Sequence, residues 1–166
     1  SFPAAEPAPV VIGALHPKML ALAAERTQGV HPYLVPPEHT AFTREIVGTS
    51  AWICTEQKVL LETDATKARS VARQSLAMYL GLPNYRRSLE RFGFGHSDFE
   101  NMGSDRLVDA VVAWGDEKAI DARIQAHLDA GADHVCIQPL HPQGLPLPDW
   151  RVLEVFAPAR NGQTTK

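Results

Sequence analysis

Basic clusters, long apolar runs and paired cysteines are all missing from this 166-residue chain. With 16 Lys and Arg against 19 Asp and Glu, a net charge of −3 and no basic run, it lacks the footprint of a nucleic-acid binder. No apolar stretch approaches membrane-spanning length, so no membrane partner is expected. The two cysteines, Cys54 and Cys136, stand far apart in apolar surroundings. They read as reduced residues of a cytoplasmic protein rather than as a disulfide or a metal pair. His31 and His39 have no further ligands at a closing spacing, which argues against metal catalysis. The opening residues, Ser1 to Pro9, have no initiator Met, no basic segment and no apolar centre, so they do not read as a signal peptide.

What is present is enough for one core: 45% of the residues are hydrophobic. The expected organisation is a Pro-rich connector over residues 1–9, one domain over 10–158 and a frayed tail over 159–166. The domain is built around Val10-Val11-Ile12-Gly13-Ala14-Leu15-His16-Pro17-Lys18-Met19-Leu20. Val10 to Ile12 does not alternate, as expected of a parallel strand covered on both faces. Gly13 and Ala14 let the backbone leave the sheet, and Pro17 suits a first helical turn. The free amides of that turn and the positive end of the helix dipole form a natural anion site; an ordinary strand-to-helix corner is the other reading.

The same plan repeats. A helix from Pro17 to about Gln28 closes on Gly29. A short strand follows from Val30, ending near His31 because Pro32 cannot donate to a ladder. A second helix opens at Pro36-Pro37. A third strand covers Gln57 to Glu62, approached through Trp52-Ile53-Cys54, and Thr63-Asp64 caps a helix with Ala68, Val71, Ala72, Ser75, Leu76, Tyr79 and Leu80 at helical spacing. Asn84 to Gly103, rich in Arg, Gly and aromatic residues, reads as a binding loop or as a surface helical excursion. Ser104 and Asp116 cap two more helices, the first expected to run through Val112. A fourth strand spans Val135 to Leu140, before a Pro-rich loop and a short helix near Trp150 to Phe156.

Strand and helix thus alternate without hairpin signals: an α/β fold. A complete (β/α) barrel takes about 250 residues, so four strands in this length amount to a parallel half-barrel; a small doubly wound sheet is the competing architecture. In a barrel, His16, His31 and His141 fall at the carboxyl ends of strands, where ligands bind. His134 is expected in solvent, Arg86 and Arg87 as anion ligands or surface charge, and Tyr79 in the helical core stripe.

Ile12 to Leu20, the helix into Gln28-Gly29-Val30, Ser104-Asp105-Arg106-Leu107-Val108-Asp109 and Ala130-Gly131-Ala132-Asp133-His134-Val135 together resemble the luciferase-like monooxygenase family. Within it, His31-Pro32-Tyr33-Leu34-Val35-Pro36-Pro37-Glu38-His39-Thr40 is similar to a segment of oxidoreductases that use the deazaflavin coenzyme F420. The resemblance implies the carboxyl-terminal four strands of a TIM-barrel fold. It also implies hydride transfer between coenzyme F420, or alternatively FMN, and a small organic substrate. By position, Gly13, Ala14, Leu15 and His16 match the segment that holds the coenzyme phosphate, and His31, Pro32 and Tyr33 match the strand end beside the cofactor. His16 departs from relatives that often carry Gly there. The family's acid/base group belongs to the amino-terminal strands, so no catalytic residue is named and the chain by itself is expected to be inactive. A non-catalytic fragment or assembly module keeping only the fold is the rival reading. Half a barrel leaves strand edges and an apolar face open, so a homo-oligomer joined through Val10 to Ile12 and Val135 to Ile137 is expected.

Overall fold

The structure, a computed structural model, describes residues 8–157. The expected tail, and the connector apart from Ala8 and Pro9, lie outside the described residues. The elements run β1 (Val11–Gly13), α1 (Pro17–Arg26), β2 (Gly29–His31), α2 (Pro37–Val47), β3 (Trp52–Leu61), α3 (Ala65–Leu80) and α4 (Pro83–Glu90). A 3-10 segment (His96–Met102) follows, then α5 (Asp105–Val111), β4 (Val112–Gly115), α6 (Glu117–Asp129), β5 (His134–Pro139) and α7 (Trp150–Phe156).

All five strands are parallel and belong to one sheet, paired β1 to β2, β2 to β3 and β3 to β4, with β5 also on β3. The ten-residue β3 is long enough for three partners. β2 meets it at Trp52 and Ile53, β5 runs beside Cys54 to Val59, and β4 beside Lys58 to Leu61. Lys58 and Val59 pair with β4 and β5 at once, so those two strands take opposite edges of β3.

The capping residues act as the sequence predicts. Asp64 accepts from the amides of Thr66 and Lys67, Ser104 from Leu107 and Asp116 from Ala119. Gly29 begins β2 instead of closing α1, whose cap is Thr27. It packs so closely on β3 that a Cβ there would sit 2.4 Å from the Trp52 carbonyl oxygen.

Three expectations need correction, and one open alternative is decided. The run Val10 to Ile12 is not covered on both faces: Val10, just before β1, is 51% and Val11 38% exposed, and β1 pairs only with β2 among the described residues. β3 is one continuous strand, and Glu62 lies beyond it. Val112 leaves the helix for a fifth strand, since Val112 to Gly115 has a ladder to join on β3. Of the two readings of Asn84 to Gly103 the helical excursion holds: the stretch is largely α4 and the 3-10 segment, held by Asp98. That carboxylate accepts from the Gly95 amide at 2.9 Å and the Ser104 hydroxyl at 2.6 Å, and pairs with Arg106. The Arg106 guanidinium above all holds its pKa down, to about 2.

The two faces of β3 differ. Side chains alternate along a strand, so Ile53, Thr55, Gln57 and Val59 share one face and Cys54, Glu56 and Lys58 the other. On the first, Ile53 packs with Val30, Val47 and Ala132, and Val59 with Ala113, Ile120 and Val152. Between these clusters, the Thr40 hydroxyl of α2 lies 2.8 Å from His127 Nδ1 of α6, whose Nε2 donates to Gln57 Oε1 at 2.9 Å. On the second face, α3 to α5 build an apolar cluster with Leu34 and Val112, including the fully buried Leu76, Leu89 and Leu107. Burial of each such leucine contributes about 2 kcal/mol.

Candidate functional site

Two neighbouring features concentrate chemistry at the ends of β1 and β2 and the adjoining middle of β3. The first is a cavity of about 330 Å³ where β1 turns into α1. Its wall is Gly13, Ala14, Leu15, His16 and Met19 on one side, His31 and Tyr33 on another, and Asn84 and Tyr85 of α4 on the third. Six of the seven residues proposed from the sequence therefore line one space. Pro32 does not; its carbonyl accepts the Glu56 amide at 2.9 Å and fixes the end of β2 to β3.

Local chemistry sets the loop. Pro17 occupies the first helical position and His16 the cap position, without a side-chain cap bond. The first helical bond runs from the Leu20 amide to the His16 carbonyl, which leaves the amides of Lys18 and Met19 without helical acceptors. His39, wholly buried, donates from Nε2 to the Leu15 carbonyl at 2.9 Å and accepts the Thr43 hydroxyl at Nδ1, 3.1 Å away. Burial lowers the His39 pKa to about 4, so the imidazole is neutral when it braces the loop. His16 Nε2 donates to the Asn84 carbonyl at 3.1 Å. That bond turns the ring toward α4. His31 donates from Nδ1 to the Cys54 carbonyl at 2.6 Å, leaving Nε2 as an acceptor.

The second feature was missed in the sequence: a buried lysine among polar and aromatic side chains. Lys58 is 1% exposed. Its ammonium donates to Tyr33 Oη at 2.7 Å and to Gln138 Oε1 at 2.6 Å, and lies 3.5 Å from Glu56 Oε1. It also stands 4.6 Å from the Tyr33 ring centroid and 5.1 Å from that of Tyr79. Tyr33 donates its own proton to Gln138 Oε1 at 2.7 Å and lies 3.0 Å from the Tyr79 hydroxyl. All three tyrosines of the chain meet here, since Tyr85 packs on both Tyr33 and Tyr79. Tyr79 therefore joins a polar network as well as the helical stripe. Burial raises the pKa of Tyr33 and of Glu56, the latter against the pull of the Lys58 charge. The missed signal was Thr55-Glu56-Gln57-Lys58, four polar residues inside an otherwise apolar strand, two on each face.

The remaining candidates lie apart from the first cavity. His141 lines a separate cavity of about 510 Å³ between α3 and the loop after β5, where Gln138 also contributes. Arg86 lies over the Phe99 ring, 5.0 Å from its centroid. His134 is exposed, as expected. Cys54 and Cys136 are unpaired and half-buried, on the sheet face that carries Glu56 and Lys58. Among the described residues, no group of three or more His, Cys, Asp and Glu is placed to hold a metal ion, and no helix is long and apolar enough to cross a membrane.

A parallel sheet with flanking helices and a cavity at a strand-to-helix turn defines the class, an α/β protein, and likeness to solved structures makes it part of a TIM-barrel fold. The sequence profile of the luciferase-like monooxygenases matches residues 1–134, and the chain belongs to that family. No curated protein sequence matches it. Among solved structures it is similar to an F420-dependent secondary alcohol dehydrogenase in complex with an F420-acetone adduct, at 12% identity and a TM-score of 0.57. That match covers 80% of this chain and 43% of the other. It is also similar to the coenzyme F420-dependent tetrahydromethanopterin reductase of Methanopyrus kandleri, at 19% identity and a TM-score of 0.52, over 82% of this chain and 46% of that one. The chain thus spans less than half the length of either structure.

Proposed function

We propose that this chain is part of an oxidoreductase that transfers a hydride between coenzyme F420 and a small organic substrate, with FMN as the alternative coenzyme, and that it supplies the contacts to the coenzyme's phosphate side. In this reading, the cavity behind Gly13 to His16 receives the phosphate-bearing part of the coenzyme. The observation that carries it is the convergence of Gly13, Ala14, Leu15, His16, His31 and Tyr33 on one cavity beside two uncommitted helical amides. Family membership and the F420-dependent structures of the same fold support it.

The residues present fit such a group. A Cβ on Gly13 would meet nothing closer than the His31 carbonyl oxygen at 4.0 Å, so packing does not demand glycine there, and its absence leaves bare backbone in the wall. The amides of Lys18 and Met19 supply donors for a phosphate oxygen, and the dipole of α1 adds to them. His16, committed to Asn84, positions α4 against the loop. Tyr85 and His31 wall the cavity and exclude water. The coenzyme supplies the hydride chemistry itself. A cytoplasmic location belongs to the same proposal, supported by the two unpaired cysteines.

Titration of the purified protein with coenzyme F420 and with FMN, followed by cofactor fluorescence, tests the reading. Saturable quenching by one of them is expected. Quenching by neither removes the proposal.

A further inference from the structure

Two donors converge on one carbonyl oxygen, that of the Gln138 side chain. Lys58 Nζ reaches it at 2.6 Å and the Tyr33 hydroxyl at 2.7 Å. Lys58 is buried and fixed by Glu56 and two tyrosine rings, and Tyr33 is held by Lys58 and Tyr79. The acceptor is of another kind. Gln138 is exposed and lies between the two cavities, lining the larger one, while Tyr33 lines the smaller. Two fixed donors, one of them charged, that share one oxygen of an exposed residue are the arrangement of a site for a developing oxyanion.

We infer that Lys58 and Tyr33 form an oxyanion and proton-donor site for a carbonyl substrate, in which Gln138 holds the place of the substrate oxygen. The inference rests on the hydride-transfer reading and names the substrate class for it. The substrate oxygen replaces Gln138 Oε1 between the two donors. The carbonyl carbon takes a hydride, with its electron pair, from the reduced deazaflavin or flavin, and the π pair of the C=O bond moves onto the oxygen. The Tyr33 O–H bond then breaks as its proton forms the product hydroxyl. The phenolate left behind keeps the Lys58 ammonium and the Tyr79 hydroxyl as donors until a solvent proton restores it. Tyr33 is the catalytic residue of this step, and Lys58 stabilises charge on both oxygens in turn.

The test uses 4-nitrophenolate, an oxyanion whose visible absorbance reports its ionisation, and needs no coenzyme. Its failure is thereby separated from failure of the coenzyme reading. Gln138→Ala removes the place-holder from an exposed position, and Tyr33→Phe removes one donor; Lys58 is left untouched because its burial risks the fold. Circular dichroism confirms that each variant is folded. Gln138→Ala is expected to bind the probe about tenfold more tightly than the parent protein, and Tyr33→Phe added to it is expected to abolish that gain. No gain in Gln138→Ala, or a gain that survives Tyr33→Phe, overturns the inference.

Discussion

The backbone amide of Leu34 donates to Glu56 Oε2 at 3.0 Å, and Leu34 holds a φ of 58°, in the left-handed region. A buried carboxylate on β3 thus secures the turn that carries Tyr33 out of β2. Glu56→Gln keeps an acceptor for Leu34 and loses a charge that burial already disfavours. Glu56→Ala leaves the Leu34 amide without its acceptor and the buried Lys58 ammonium without its neighbouring carboxylate, a loss of about 3 kcal/mol. Urea unfolding is expected to show Glu56→Ala destabilised by at least twice as much as Glu56→Gln.

Two buried imidazoles make the fold acid-sensitive. His39 and His127 both have pKa values lowered by burial, from 6.5 to about 4. Between those values the unfolded chain binds more protons than the folded one, so stability falls as pH drops from about 6.5 toward 4. Each histidine accounts for a loss of roughly 3 kcal/mol across that window. Thermal melts at pH 7 and pH 5 are expected to show a lower midpoint at pH 5, and His127→Gln to flatten the dependence.

The order of elements was legible in the sequence because it rests on local chemistry. Asp64, Ser104 and Asp116 cap where they stand, and Pro17 and Pro37 open helices whatever surrounds them. β4 was not legible, since Leu107-Val108 and Val111-Val112 keep a helical spacing into the strand, and only the edge of β3 turns Val112 into a ladder residue. The wall of the smaller cavity was largely legible, because its residues are contiguous around two strand ends. The Lys58 network was not, as it joins residues from Tyr33 to Gln138 that only the sheet register brings together.

Arg44 stitches the amino-terminal side of the sheet to α2 and α6. Its guanidinium donates to the Gly131 carbonyl from Nε at 3.1 Å and Nη2 at 2.8 Å, and to the Ala51 carbonyl from Nη1 at 2.9 Å, while pairing with Asp133. An ammonium cannot span these acceptors. Arg44→Lys is expected to cost about 2 kcal/mol in denaturant unfolding, despite the retained charge.

β1 and β5 each have a single partner strand among the described residues, and Val10 and Val11 are exposed. Self-association that covers Val10 to Ile12 and Val135 to Ile137 remains the proposal for these edges. Sedimentation equilibrium at low micromolar concentration is expected to give a dimer or larger species, reduced by Val11→Lys. A folded monomer contradicts it.

Amide hydrogen exchange with and without coenzyme F420 reports whether the β1-to-α1 turn holds the coenzyme. Slowed exchange is expected at Ala14 to Met19, with smaller protection at His31 to Leu34 and Asn84 to Arg86, and loss of the effect in Gly13→Val. Protection confined to other segments, or unchanged by Gly13→Val, would contradict it.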